Sequence, residues 1–227
     1  MIRLMKDFMY AYNALMAEMV PINPETPQPR RIRHVVDALR AGAVIAYPTD
    51  SSYALACTMG NKAAIERIRQ LRQFGRDHFF SLLCRDLSEI ATYAKVENAN
   101  FRLLKMATPG AYTFVLPATR QVPRWLAHDK RKTVGIRVSR HPVAQAIANE
   151  MDEPIMTVTA QAPGDELPLA EALDVRNAFG KRIEMIADAG ATGVEPTTVV
   201  DLSGDVPSIL RQGKGSAAAI GLAPDAV

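Results

Sequence analysis

The chain has 227 residues, of which 48% are hydrophobic and 22% are charged, and its formal net charge is +3. This composition is that of a globular protein, and the length allows a substantial core in one large domain or two small ones. So small a net charge does not by itself indicate nucleic acid. The two cysteines are too few for a disulfide framework, so we expect a reducing compartment. No apolar run reaches the roughly 18 residues of a membrane helix, so we expect no membrane contact.

The first 20 residues are rich in methionine and aromatic side chains, but charged residues interrupt them. They lack the ordered basic segment, apolar core and cleavage site of a signal peptide, so we predict a helical extension over 1–20 and a cytoplasmic protein. Residues 21–30, PINPETPQPR, hold four prolines and are predicted to be an extended linker. We expect the main domain over 31–215 and a C-terminal tail over 216–227.

Helices and strands alternate along the main domain. Helices are predicted over residues 31–41, 61–72, 86–93, 98–106, 142–151 and 169–180. Strands are predicted over residues 43–47, 79–84, 112–116, 133–138, 155–159, 183–187, 197–202 and 208–210. Asn61 and Asp86 are placed to cap the helices that they precede. The alternation predicts one α/β domain with a mixed sheet rather than separate α and β domains.

Several signatures of common enzymes are missing. The chain has no GxxxxGK[ST] phosphate loop, no GxGxxG after a strand, and no HExxH, CxxC or GxSxG motif. Its four histidines show no metal-ligand spacing. We therefore expect no dedicated metal site, and the function has to be inferred from other residues.

Polar clusters follow or begin several of the apolar strands. The clusters are YPTDSSY at residues 47–53, RVSRHP at 137–142, TVTAQAPG at 157–164, EPTTVVDL at 195–202 and LRQG at 210–213. Ligands of open α/β sheets bind at the carboxyl ends of strands, and hydroxyls and arginines suit phosphate and carboxylate ligands. Each cluster alone also fits an ordinary turn, because turns favour the same residue types.

Arg137 is unusual because it lies between Ile136 and Val138 inside a predicted strand. An arginine in such a position is costly unless it is paired or bound to a ligand. Two alternatives stay open for it, an internal ion pair and a ligand contact.

Taken together and in order, seven motifs resemble the YrdC-like family, whose members include threonylcarbamoyl-AMP synthases. The motifs are YPTDS, RQF, PGAYTFVL, RVSRHP, TVTAQAPG, PTTVVDL and RQG. The resemblance runs from about Arg31 to Gly213. The segments RKTVGIRV and LLCRDLSEI look closest to the YciO branch. Members of that branch begin close to MVPINPETPQPRR, so Met19 is an expected alternative start.

The resemblance implies a single domain with a twisted mixed sheet flanked by helices and a concave basic surface. It implies binding of ATP or an adenylate, with Mg²⁺ accompanying ATP. The reaction implied condenses L-threonine, bicarbonate and ATP into threonylcarbamoyl-AMP and pyrophosphate, for tRNA modification. Some members of the family are described as binding double-stranded RNA.

The resemblance also implies site residues by position. It implies catalytic roles for Arg72 and Arg137. It implies contacts to the substrate from Thr49, Tyr53, Ser139 and His141. It implies contacts to the nucleotide from Arg72, Thr159, Gln161, Thr198 and Arg211.

Two family motifs are altered here. The synthases carry Lys and Arg in a KxR motif, and this chain has Arg72 and Phe74 there. They carry Ser and Asn in an SxN motif, and this chain has Thr159 and Gln161. We therefore expect weak or altered synthase activity, unless the nearby Arg76 replaces the missing cation.

A basic segment suggests a second kind of function. Arg124, Lys130, Arg131 and Lys132 lie in a stretch with one acidic residue, Asp129. Such a stripe fits either the backbone of double-stranded RNA or tRNA, or a solvated face. The alternative to an enzyme is therefore an RNA-binding module that has lost most catalysis.

Overall fold

The computed structural model describes residues 16–75, 80–128 and 131–222. Their ten strands form one mixed sheet in the order β1-β8-β2-β3-β7-β4-β6-β5-β9-β10. The strands are β1 (Glu18–Pro21), β2 (Ile45–Pro48), β3 (Tyr53–Thr58), β4 (Ser81–Leu83), β5 (Tyr112–Pro117), β6 (Thr133–Arg137), β7 (Ile155–Thr159), β8 (Met185–Asp188), β9 (Thr198–Asp201) and β10 (Ser208–Arg211). The α/β fold with a mixed sheet is confirmed.

Six α-helices flank this sheet in the described residues. They are α1 (Pro29–Arg40), α2 (Lys62–Arg72), α3 (Leu87–Tyr93), α4 (Asn98–Ala107), α5 (Pro142–Glu150) and α6 (Ala172–Phe179). The two predicted caps are confirmed, since the side chain of Asn61 accepts from Ala64 N and that of Asp86 accepts from Glu89 N. A short 3₁₀ helix, Ala218–Ile220, follows the last strand.

One face of the sheet is covered along most of its length. Helices α2, α3, α4 and α6 place their apolar stripes against it and form the main core, which holds Ile68, Ile90, Leu104 and Phe179. Successive residues of a strand point to opposite faces of the sheet, so every second strand residue packs against these helices.

The opposite face is covered over only part of its width. Helices α1 and α5 pack there with Val36 and Ile147 over Ile45, Ala56 and their neighbours. The same face continues over the end of β7 and over β4, β6, β5, β9 and β10. In these strands, polar residues and glycine on this face alternate with core residues on the other face. We call this uncovered part the open face, and it holds the cavity described below.

The N-terminal boundaries differ from those predicted from the sequence. Residues 18–20 were expected to be helical, but Glu18–Pro21 is a strand that pairs in parallel with β8. Val20 and Ile22 are buried against the domain, so the proline-rich segment does not separate them from it. Proline is tolerated in the first turn of a helix, and α1 accordingly begins at Pro29. The predicted helix over 1–15 lies outside the described residues.

Two further features of the chain were not predicted. Strand β3, Tyr53–Thr58, pairs antiparallel with β2, so the polar stretch between them is the connection of a hairpin. The described part of the predicted C-terminal tail packs on the domain, because Ala217 and Ile220 are buried and Tyr112 donates a hydrogen bond to the carbonyl of Ser216.

Candidate functional site

The open face holds a cavity of about 400 Å³. Three arginines reach it from different elements: Arg72 from the end of α2, Arg137 from the end of β6 and Arg211 from the end of β10. Its floor is formed by Thr113, Gly135, Thr157 and Thr159, and its rim carries Phe74, Gln161, Glu166, Leu167, Thr197 and Leu210. The structure thus brings five of the predicted site residues together, namely Arg72, Arg137, Thr159, Gln161 and Arg211.

Three threonines of the cavity have their hydroxyls in close hydroxyl–hydroxyl contacts. Thr113 Oγ1 and Thr197 Oγ1 are 2.9 Å apart, and Thr157 Oγ1 lies 2.8 Å from the hydroxyl of Tyr47. Sequence reasoning had not assigned Thr113, Thr157 or Thr197 to the site. The signal was present in TVT at 157–159, where two threonines at a spacing of two must share one face of a strand.

Arg137 is buried and forms an ion pair with Asp50 across the hairpin connection. Its Nη2 lies 3.3 Å from Asp50 Oδ1 and 3.5 Å from Ser51 Oγ. Asp50 also accepts from Ser139 Oγ at 3.0 Å and from the backbone N–H of Arg140 at 3.2 Å. The internal ion pair is therefore present, and Asp50 is the partner that sequence reasoning missed.

Arg137 also has a donor that no protein group accepts among the described residues. Its Nε is buried and has no hydrogen-bond partner among the described residues. A buried donor without a partner costs free energy. Arg137 also lines the cavity, so a ligand bound there can contact other parts of its guanidinium. The ion pair and a ligand contact are thus compatible roles for this one side chain.

Arg211 extends over the cavity from the last strand. Its Nε and Nη2 donate to the carbonyl of Thr197 at 3.3 and 3.0 Å. Burial of its guanidinium lowers the pKa of Arg211, although the side chain as a whole is exposed, and the nearby Arg137 lowers that pKa further. The two cations therefore repel one another, and an anion between them would relieve the repulsion.

Arg72 is held by the two residues that alter the family motifs. Both of its terminal nitrogens donate to Gln161, one to the backbone carbonyl and one to Oε1 at 3.3 Å. The ring of Phe74 stacks on the guanidinium, with 4.7 Å between Cζ and the ring centroid. Burial lowers the pKa of Arg72 to about 10, and the nearby Asp165 opposes that shift. Arg76 lies outside the described residues.

Four predicted substrate contacts are not among the residues that line the cavity. Thr49 Oγ1 donates to the carbonyl of Ser52 at 2.7 Å and shapes the hairpin connection. Tyr53 is buried in the main core, and its hydroxyl donates to the carbonyl of Gly190 at 2.9 Å. Ser139 is bonded to Asp50, and His141 caps α5 by accepting from Val143 N. Burial lowers the pKa of His141, which Asp50 opposes. Their substrate roles stay predictions.

Thr198 also faces away from the cavity. Its buried hydroxyl donates to the carbonyl of Gly215 and accepts from the backbone N–H of Gly213 at 2.9 Å. A side chain on Gly213 would meet the carbonyl of Pro196 and the backbone of Thr197. Thr198 thus fixes the turn after β10, and through that turn it positions Arg211.

Of the predicted RNA-binding residues, Arg124, Arg131 and Lys132 do not line the cavity. Arg124, Arg131 and Lys132 are exposed. Arg131 Nη1 lies 3.4 Å from Asp201 Oδ2, so part of its charge is balanced locally. Lys130 lies outside the described residues.

The described residues contain neither a cluster suited to a metal ion nor a helix suited to a membrane. Over 16–75, 80–128 and 131–222, no three His, Cys, Asp or Glu side chains are grouped so that they could hold a metal ion. In the same residues no helix has the length and apolar character needed to cross a membrane.

The sequence matches a known family over most of its length. A family model described as "Telomere recombination", which covers Sua5, YciO and YrdC proteins, matches residues 37–213. The chain belongs to this family. It is 44% identical over 200 residues to the uncharacterized protein YciO of Escherichia coli (strain K12), across 88% of this chain and 97% of YciO. It is 31% identical over 180 residues to a threonylcarbamoyl-AMP synthase of Halorhodospira halophila, across 78% of this chain and 93% of that enzyme.

Solved structures of the family have the same fold. The crystal structure of E. coli YciO gives a TM-score of 0.87 at 43% identity and covers 90% of this chain and 100% of that chain. P. abyssi Sua5 complexed with L-threonine gives a TM-score of 0.80 at 27% identity, over 86% of this chain and 57% of Sua5. The resemblance to the YrdC-like family is therefore confirmed, and so is its fold.

Proposed function

We propose that this protein binds ATP or an adenylate in the open-face cavity and is a weak threonylcarbamoyl-AMP synthase. The observation that carries the proposal is the convergence of Arg72, Arg137 and Arg211 on one cavity. Three cations beside threonine hydroxyls suit a phosphorylated ligand, because each offers several hydrogen bonds and a fixed charge. The names of the related synthases and of the threonine complex of Sua5 supply the reaction class.

The proposed reaction joins L-threonine, bicarbonate and ATP into threonylcarbamoyl-AMP, pyrophosphate and water. A carbamate oxygen forms a bond to the α-phosphorus while the bond to the pyrophosphate oxygen breaks. Negative charge on the phosphoryl oxygens is then met by Arg137 and Arg211, which are fixed by Asp50 and by the carbonyl of Thr197. Such positioning and charge neutralisation are most of what phosphoryl transfer needs from a protein.

Mg²⁺ is proposed to arrive with ATP rather than at a dedicated protein site. Mg²⁺ prefers oxygen ligands and is commonly held by nucleotide phosphates and one or two carboxylates. The cavity offers Glu166 and the hydroxyl of Thr159 as oxygen ligands. The ion supplies charge neutralisation when it is bound.

Weak turnover follows from the surroundings of Arg72. Phe74 supplies no second cation, and both terminal nitrogens of Arg72 already donate hydrogen bonds to Gln161. The absence of one cationic clamp on a transferring phosphoryl group costs on the order of 100-fold in rate. The alternative of an RNA-binding module is not favoured, because Arg124, Arg131 and Lys132 do not line the cavity and Arg131 is paired with Asp201.

The test is pyrophosphate release that depends on both L-threonine and bicarbonate. We expect a slow rate above the background without threonine, and on the order of 100-fold faster release by the double variant Phe74→Arg with Gln161→Asn. Arg124→Ala is the control, since Arg124 is exposed and outside the cavity. No threonine-dependent release by either the natural protein or the double variant would refute the synthase proposal.

A further inference from the structure

Two of the cavity arginines are each fixed by a different segment of the chain. Arg137 Nη2 lies 3.3 Å from Oδ1 of Asp50, which belongs to the hairpin connection between β2 and β3. Arg211 donates to the carbonyl of Thr197, and the turn after β10 packs on that same carbonyl. Two segments that lie far apart in the sequence thus support the cavity.

Lys214 joins these two segments. Its side-chain ammonium donates to the backbone carbonyl of Asp50 at 2.6 Å, and its backbone N–H donates to the carbonyl of Pro196 at 2.9 Å. Hydrogen bonds from a charged donor are shorter and stronger than neutral ones. One residue of the turn after β10 is therefore bonded both to the hairpin connection that fixes Arg137 and to the segment that fixes Arg211.

The surroundings of Lys214 are closely packed, although the residue as a whole is exposed. A side chain on Gly215 would meet the ring of Tyr112, so the turn lies tightly on the domain directly after Lys214. Gly193 lies at the same junction, where a Cβ would be 2.8 Å from the carbonyl oxygen of Ser51 and 3.8 Å from Lys214 Nζ. The ammonium of Lys214 therefore has a defined place between the turn and the hairpin connection.

We infer that Lys214 is a positioning residue that holds the hairpin connection and the turn after β10 together. The inference rests on the proposed function, because it takes Arg137 and Arg211 to bind a nucleotide phosphoryl group. One phosphoryl group contacts both arginines only while their two supports stay in place, and misplacement by about 1 Å is already costly. Lys214 is not among the residues that line the cavity, so it acts through Asp50 and through the turn.

The first measurement is the affinity for AMP by calorimetry. We expect Lys214→Met to weaken AMP binding about tenfold, and Lys214→Arg, which keeps a charged donor, to restore most of the affinity. Lys105→Met is the matched control, because it removes an exposed lysine of α4, which packs on the other face of the sheet. In an Arg211→Met background, Lys214→Met should cost about threefold or less, since one support no longer carries its cation.

The second measurement needs no ligand. Amide hydrogen exchange reports on both sides of the junction, because Arg140 donates its backbone N–H to Asp50 Oδ2 and Gly213 donates its own to Thr198 Oγ1. In Lys214→Met both amides should exchange several-fold faster than in the natural protein, while the amides of β7 keep their rates.

The outcomes separate the inference from the proposed function. Unchanged AMP affinity in Lys214→Met, or unchanged exchange at both amides, overturns the inference and leaves the nucleotide site standing. A loss of affinity that is as large in the Arg211→Met background also overturns it, because Lys214 would then act independently of that arginine. If the natural protein binds neither AMP nor ATP, the proposed function falls, and the exchange measurement alone decides whether Lys214 holds the two segments together.

Discussion

Tyr53 shows how a residue of a functional motif can have a structural role in the native state. Its hydroxyl donates to the carbonyl of Gly190 and accepts from Ala189 N, so it ties β3 to the loop after β8. Burial raises the pKa of Tyr53 to about 12, against the usual value near 10. The folded protein therefore keeps a proton on Tyr53 that the unfolded chain loses at lower pH.

The free energy of unfolding should fall as pH rises from about 10 to about 12, because the unfolded state binds fewer protons there. Tyr53→Phe removes this contribution, so the difference in stability between the natural protein and the variant should shrink across that window. Denaturant unfolding at pH 8, 10 and 11.5 measures it. A difference that stays constant with pH would show that Tyr53 titrates normally.

Arg137 and Asp50 form a buried ion pair whose loss should be costly. Removing one partner leaves an uncompensated buried charge, so Arg137→Met should lower the free energy of unfolding by about 3–5 kcal/mol. Arg137→Met combined with Asp50→Asn should cost less than the sum of the single variants.

The matched control for Arg137 is the exposed pair of Arg40 and Asp152, 3.0 Å apart. Arg40→Met should cost about 1 kcal/mol or less, as exposed pairs do. Chemical denaturation of the three single variants and of the Arg137/Asp50 double variant measures both effects. Equal costs for Arg137→Met and Arg40→Met would show that burial adds nothing to the pair.

At the scale of elements, the turn after β10 connects the fold to the site. Gly213 packs against Pro196 and Thr197, and a Cβ there would lie 2.8 Å from the carbonyl oxygen of Thr197. That same carbonyl holds Arg211. The turn therefore needs glycine for a close approach of two backbone segments.

Gly213→Ala should push this turn away from Thr197 and weaken AMP binding about tenfold or more through the displacement of Arg211. Gly204→Ala is the matched control, since a Cβ at Gly204 has no atom within 4 Å. Calorimetry with AMP measures the affinity, and thermal unfolding shows that both variants are folded. Unaltered affinity in a folded Gly213→Ala protein would mean that the turn does not position Arg211.

Strand β1 should contribute to stability although it lies at the edge of the sheet. Ile22 follows it, is buried, and donates its backbone N–H to the carbonyl of Asp188 at 2.6 Å. Ile22→Ala should therefore cost about 2–5 kcal/mol, whereas the exposed Val206→Ala should stay within about 0.5 kcal/mol. Urea unfolding compares them. Similar small changes for both would show that the segment is only loosely attached.

Local sequence patterns predicted most elements because those elements carry their own signals. Strand β7 matches its predicted bounds, and α2 begins directly after its capping residue, Asn61. Strand β1 was missed because its pairing with β8 joins residues far apart in the sequence, which no local pattern reveals. Strand β3 was missed because its residues, YALACT, are almost all buried and apolar, so polar and apolar residues do not alternate along it.

The arginines of the site were predicted from the sequence, but the protein groups that contact them were not. Arg137 and Arg211 follow from strand ends, and both line the cavity. The contacts of Arg137 with Asp50 and of Arg72 with Gln161 depend on the order of strands in the sheet, which the sequence alone does not state. Thr49 and Tyr53 were predicted as substrate contacts, but neither lines the cavity. Thr49 instead shapes the hairpin connection, and Tyr53 lies in the main core.

For the whole molecule, the uneven cover of the sheet creates the site. Helices α1 and α5 protect only part of one face, and the remainder carries arginines, threonines and Gly135. The proposed nucleotide would bind on this face, where the three arginines line the cavity.

The most direct test of this account is a crystal structure of the protein with AMP. The account predicts the phosphoryl group in the open-face cavity, within hydrogen-bond distance of both Arg137 and Arg211, with Arg72 still bonded to Gln161. A phosphoryl group bound at the exposed basic residues Arg124, Arg131 and Lys132, with the cavity free of nucleotide, would contradict it.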